Sequence, residues 1–312
     1  MNSLHELCEV REEVFDPSRR DTVLDLTDLI EDRINARRFF KTNYVTNGMS
    51  TLLREAFDRF SRQSQQGTFL LNQAMGGGKT HNMIALGLLA KNPEFRDEIL
   101  EGYHDPNLGK VRVAAFTGRE SDAPFGIWGA IAEQIGKKQQ FSDYYQPLQA
   151  PGQKAWENLL QGEPLLILLD ELPPYLNQAR AKEIGNADLA TVTTAALSNL
   201  LVAVGKPPLE NVCVVISDLT ATYSEGSQKI NEALDDLKNE ADRGAMPLEP
   251  VQQNTNEIYH ILRKQIFKSL PSDNKIQEVA RGYAQSVKDA KQMDVTDASP
   301  EEYARRIQEA YP

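Results

Sequence analysis

Four short apolar runs stand out along the chain: Thr68–Asn72, Val111–Thr117, Leu165–Leu169 and Val212–Ile216. Each is closed off by turn residues or charge, and none alternates apolar with polar positions. That pattern fits strands of a parallel sheet, in which both faces are covered and every side chain is buried. Between the runs the period becomes helical. Thr80 to Lys91 carries Met83, Ile84, Leu86, Leu88 and Leu89 and stops at Asn92-Pro93, because the residue before a proline is pushed out of helical geometry. Ala123–Ile135 and Leu189–Val204 read as further helices. Strand–helix alternation of this kind predicts an α/β domain built on a parallel sheet.

The flanks differ. Roughly Asp21 to Arg62 predicts a helical lead-in, with Leu24, Leu26, Leu29 and Ile30 near helical spacing. Past the last apolar run, Ser224 to Arg243 reads as a charged helix. Met246 to Val251, with two prolines, reads as a short edge strand. Three helices are expected after it, about 254–269, 273–291 and 299–310, with Pro271 and Pro300 at their boundaries. The organisation expected is a lead-in over 1–62, a core over 63–252, and a small all-α lid, or the start of a further helical region, over 253–312.

Composition narrows the class without deciding it. The 312 residues are 40% hydrophobic and 25% charged, ordinary for a globular chain. The net charge of −11 argues against nucleic acid held by the overall field, since such binding comes from Lys and Arg on phosphates; a local basic patch stays open. Cys8 and Cys213 have no metal spacing and make no disulfide framework, which fits a reducing cytoplasm. Met1–Glu13 lacks an apolar core and is not expected to be a signal peptide. The pure apolar runs are far too short to span a bilayer.

The chemistry sits at the strand ends. Phe69-Leu70-Leu71-Asn72 runs into Gln73-Ala74-Met75-Gly76-Gly77-Gly78-Lys79-Thr80, and a helix follows. This is a Walker A phosphate loop. Its glycines let backbone N–H groups face phosphates, the helix N-terminus adds a positive dipole end, Lys79 reaches the β- and γ-phosphates, and the Thr80 hydroxyl is a magnesium ligand. Gln73 stands where the motif usually has its first glycine. Downstream, Leu165–Leu169 delivers Asp170-Glu171, the Walker B pattern: Asp170 to hold Mg²⁺, often through water, and Glu171 to polarise the attacking water. Ligands of open α/β sheets bind at this carboxyl edge. A glutamate directly after the aspartate marks ATPases with an extra strand between the Walker A and Walker B strands, here Val212–Ile216. That strand ends at Ser217-Asp218, either of which suits a sensor of the attacking water; a plain strand-end cap is the alternative.

Several strings resemble the large P-loop ATPases of bacterial phage-defence islands, the BREX-associated ATPases and their relatives, within the AAA+ and related ATPases. They are Arg38-Phe39-Phe40, Thr42-Asn43-Tyr44-Val45-Thr46-Asn47-Gly48, Met75-Gly76-Gly77-Gly78-Lys79-Thr80-His81, Gly126-Ile127-Trp128-Gly129-Ala130-Ile131-Ala132, and Leu166-Ile167-Leu168-Leu169-Asp170-Glu171-Leu172 with Tyr175-Leu176. The resemblance covers roughly residues 20–312. Members are usually longer, so the chain looks like the N-terminal ATPase portion of a larger protein, or a trimmed relative. The resemblance implies phage defence, an ATP-driven step and partner proteins of a defence system; ATP and Mg²⁺ as ligands, a homo-oligomer and a cytoplasmic setting without membrane attachment are expected as well. It also implies candidate roles for side chains. Phe39, Phe40 and Tyr44 either flank an adenine or simply pack. His81 closes the expected nucleotide-binding stretch Gln73–His81; packing beside the loop is expected there rather than catalysis. Arg243, at the end of the charged helix, is an arginine finger or a helix cap, with Gly244 suited to the C-cap. Arg305 or Arg306 is a second sensor or part of a solvated face. Trp128 is expected in the core.

The leading expectation is an AAA+-type ATPase hydrolysing ATP with Mg²⁺. A slow nucleotide-gated assembly switch is the alternative, and a P-loop kinase a third, disfavoured by the Asp-Glu pair.

Overall fold

A computed structural model describes residues 4–15, 24–73, 77–119, 123–217, 237–252, 256–290, and Glu302 and Arg305. The chain divides into two compact units: one comprises Leu24–Phe39 and Val45–Val251, the other Met1–Val23, Phe40–Tyr44 and Gln252–Pro312.

The first unit is built on a five-stranded parallel sheet. Its strands are β1 (Thr68–Leu71), β2 (Arg112–Thr117), β3 (Leu165–Asp170), β4 (Val212–Ser217) and β5 (Met246–Leu248), in the spatial order β2-β3-β4-β1-β5. β1, β3 and β4 are buried at every position, which is why their sequences are unbroken apolar runs. β4 lies between β1 and β3, pairing Thr68 with Val214 and Leu165 with Val212, so the extra strand falls where the Asp-Glu pair placed it. Pro247 pairs with Leu70 on the edge strand β5, where its missing N–H costs no ladder bond.

The helices of this unit include α1 (Leu26–Ile30), α2 (Ala36–Thr42, which ends in the other unit), α3 (Asn47–Phe60), α4 (Lys79–Lys91), α5 (Gly126–Gln134), α6 (Gln153–Leu160), α7 (Leu172–Ala179) and α8 (Leu189–Val204), with a single turn over Arg96–Ile99. One sheet face packs Leu70, Phe116, Ile167, Leu169, Val214 and Ile216 into a core with Ile127, Trp128, Trp156, Leu176 and Leu200 from α5–α8. Strand side chains alternate between faces, so Phe69, Leu71, Leu168 and Val215, all fully buried, belong to the opposite face, against which α3 and α4 pack. α4 is buried from Asn82 to Ala90 and so shows no amphipathic stripe.

In the second unit, Glu9–Val10 pairs antiparallel with Phe267–Ser269. Arg11 N–H donates to the Ile266 carbonyl at 2.9 Å. Helices Glu257–Ile266 and Asp273–Ala290 flank that strand. The helix expected over 254–269 therefore stops at Ile266, and the chain turns extended to pair with the N-terminal segment. Of the helix expected over 299–310 only Glu302 and Arg305 are described, both helical; Arg306 lies outside the described residues. Of the charged helix over Ser224–Arg243, the described part is helical over 237–244. It runs through Gly244 without a left-handed glycine at its end.

Candidate functional site

The carboxyl ends of β1, β3 and β4 gather the polar groups. β1 gives way through Asn72 and Gln73 to the segment Ala74–Gly76, outside the described residues, and then to Gly77 and Gly78. Gly78, with φ +82°, precedes the first turn of α4, a conformation that glycine adopts without a side-chain penalty. From that turn the Thr80 hydroxyl donates to Asp170 Oδ2 at 2.5 Å. Asp170 is the last residue of β3 and is 3% exposed. Lys79, in the same turn, points its ammonium back to the Gln73 carbonyl. The structure thus brings Gln73, Lys79, Thr80 and Asp170 together.

Glu171 leaves β3 in a left-handed conformation, φ 50° and ψ 44°, which costs on the order of 1 kcal/mol for a residue with a side chain. Two contacts and the local sequence hold it there. Its N–H donates to the Ser217 hydroxyl at 3.0 Å; Pro173 and Pro174 stand in the first turn of α7 directly after it, where missing N–H groups are tolerated; and Gly118 lies so close that a Cβ there would sit 1.8 Å from the Glu171 carbonyl oxygen. The Glu171 carboxylate forms an ion pair with Arg119, just past the end of β2. Arg119 escaped the sequence reading. The register that sets Thr117 beside Asp170 carries it there, and register is not visible in one chain segment.

Other expected residues are placed as follows. Ser217 is 2% exposed, its hydroxyl turned to the Glu171 backbone; Asp218 lies outside the described residues. The His81 ring stacks on Phe39 at 4.6 Å, and burial pushes its pKa down, so it packs as a neutral ring. Phe40 is buried, and Tyr44 stacks on His260 at 5.1 Å within the second unit. Trp128 is in the core at 1% exposure. Arg243 is exposed and paired with Glu240 at 3.1 Å, one turn earlier. Arg305 is exposed.

A hydroxyl and a buried carboxylate in contact, at a helix start bearing a lysine, form an oxygen donor set that suits a hard divalent cation next to an anion.

Fold and site define an α/β protein with a five-stranded parallel sheet flanked by helices and a polar cluster at its carboxyl edge. The chain belongs to the family described as the DUF499 N-terminal domain, which matches residues 2–112 and 123–241. No curated protein matches the chain. Among the described residues, no helix is long and apolar enough to cross a membrane.

Proposed function

We propose that the chain is a Mg²⁺-dependent ATPase of the AAA+ type, a P-loop NTPase. The observation that carries this is the Thr80–Asp170 contact at 2.5 Å, made by a helix start after β1 and the end of β3 across an intervening strand. The strand order β2-β3-β4-β1-β5 supports it, as does a family associated with large ATPase and defence-island proteins. Lys79, with backbone N–H groups of the segment Gln73–Lys79, would hold the phosphates. Thr80 and Asp170 would hold Mg²⁺, which when bound supplies charge neutralisation at the phosphate oxygens. Glu171 would take the proton of the attacking water. Such catalysis rests on positioning and charge stabilisation rather than covalent chemistry. Anti-phage defence, self-association through Arg243 as a finger, a lid over 253–312 bearing Arg305 or Arg306, defence-system partners and a cytoplasmic setting belong to the same proposal.

A slow nucleotide-gated switch is the second reading, favoured by the Arg119–Glu171 ion pair, which engages the carboxylate that would act as base. Two variants test the site. Lys79→Ala should abolish binding of a fluorescent ATP analogue. Glu171→Gln should bind ATP and lose turnover by roughly 10²- to 10⁴-fold, the usual worth of a positioned base. Parent-like phosphate release from Glu171→Gln removes Glu171 from that role. Parent-like binding by Lys79→Ala removes the loop from the site.

A further inference from the structure

Gln73 occupies the position where a phosphate loop ordinarily has glycine, and its side chain is engaged. Its amide nitrogen donates to the Val251 carbonyl at 2.9 Å, and its amide oxygen accepts from the Val251 N–H at 3.0 Å. This two-point contact repeats in a side chain what neighbouring strands do with backbone. The β1–β5 ladder ends with Asn72 N–H donating to the Leu248 carbonyl at 2.9 Å, and beyond it, among the described residues, the Gln73 side chain spans to Val251. The preceding residue, Pro250, is fixed as well, its carbonyl accepting from the Thr46 hydroxyl at 2.5 Å. On its other side Gln73 touches the loop: its carbonyl accepts from the Lys79 ammonium. Gly77 packs on the Gln73 stem, where a Cβ would lie 2.4 Å from Cγ. Val251 is the last residue of the sheet unit, and the chain enters the other unit at Gln252.

We propose that Gln73 is a coupling residue, transmitting the state of the phosphate loop to the point where the chain leaves the sheet unit, through its paired hydrogen bonds to Val251. The inference rests on the nucleotide reading above. A phosphate in the loop competes with the Gln73 carbonyl for the Lys79 ammonium, since charge-assisted bonds to phosphate are the stronger ones. Gln73 is then freed or shifted at its backbone while its amide stays on Val251, so the displacement passes to Val251. Glycine at position 73 would bind phosphate and transmit nothing.

The test is hydrogen exchange over residues 251–266 with and without Mg²⁺ and a non-hydrolysable ATP analogue, in the parent, Gln73→Gly and Gln73→Glu. Binding of a fluorescent ATP analogue is measured alongside. The parent should bind the analogue and show a change in exchange at these residues of roughly tenfold, the worth of one or two backbone-type hydrogen bonds. Gln73→Gly, compared at analogue concentrations that saturate it, should lose that change. Gln73→Glu keeps the acceptor, sets an oxygen against the Val251 carbonyl, and should show the same loss. Glycine is the motif's usual residue here, so folding of that variant is expected, and the exchange of β3 and β4 amides verifies it. A nucleotide-dependent change surviving in both variants overturns the coupling and leaves the ATP reading intact. A parent that binds no analogue overturns both.

Discussion

The guanidinium of Arg119 rests on the Glu171 carboxylate at the rim of the sheet, with Arg119 70% and Glu171 34% exposed in their side chains. Ion pairs this open contribute at most about 1 kcal/mol, so Arg119 restrains the carboxylate without locking it. Arg119→Ala should therefore raise steady-state phosphate release by no more than about fivefold. A fall of 100-fold would instead make Arg119 part of the charge stabilisation. Ser217 illustrates what was legible at this scale. A polar residue at the end of the fourth run was foreseeable from sequence; that its hydroxyl accepts from the Glu171 N–H was not, because the partner lies 46 positions away, just past the end of a neighbouring strand.

Among elements, the first four strands could be read directly, because strands covered on both faces advertise themselves as apolar runs. Two buried arginines could not. Arg59, on α3 and 1% exposed, donates to the carbonyls of Val212 at 3.1 Å, Gln65 at 2.9 Å, Val204 at 2.7 Å and Leu209 at 2.8 Å. Arg96, 3% exposed, donates to Leu89, Ala90, Leu108 and Gly109 and lies 4.8 Å over the Phe57 ring. Each ties helix and loop carbonyls near the amino ends of the strands, and burial lowers the pKa of both. A charged residue in a helix reads as surface when its partners are backbone oxygens, which sequence does not label. Arg59→Met keeps the stem's bulk and strands the buried carbonyls of Val204, Leu209 and Val212, each costing about 1–3 kcal/mol unless water reaches it. Unfolding in urea should show a loss of at least about 3 kcal/mol. A loss under about 1 kcal/mol would mean the carbonyls find other donors.

At the scale of the molecule, the short ladder Glu9–Val10 with Phe267–Ser269 draws the N-terminal segment into the same unit as residues beyond Gln252. The expected separation of a lead-in over 1–62 from a region over 253–312 is not how the compact units divide; a ladder two residues long, joining positions some 258 apart, leaves no mark in local composition. Glu9 carries its charge partner across the ladder: Lys268 at 2.6 Å, with the Ser269 hydroxyl at 3.2 Å. These hydrogen bonds hold the Glu9 carboxyl below its ordinary value and raise Lys268 above its own. A depressed carboxylate stabilises above its unfolded pKa and loses that contribution as pH falls through its folded one; a raised ammonium does the converse at the alkaline end. The ladder should hold between about pH 4 and pH 10. Protection factors of amides 9–10 and 267–269 should drop below about pH 4 in the parent. In Lys268→Gln they should be lower at neutral pH and nearly flat with acid. An equally steep acid loss in that variant would detach the effect from this pair.

The position of β1 in the sheet carries a consequence for how the chain is made. Both of its neighbours, β4 and β5, come from far downstream, so roughly 140 residues are synthesised before either edge of Thr68–Leu71 can be covered. At ribosomal speeds of about 5–20 residues per second this leaves an apolar strand with two open edges for some 7–30 s. β2 and β3, by contrast, can pair with each other as soon as Asp170 has emerged. The strand that leads into Gln73 and Lys79 thus waits longest of the central strands for its neighbours. A nascent chain stalled short of Val212 would hold this apolar strand with both edges open, and would be work for a chaperone.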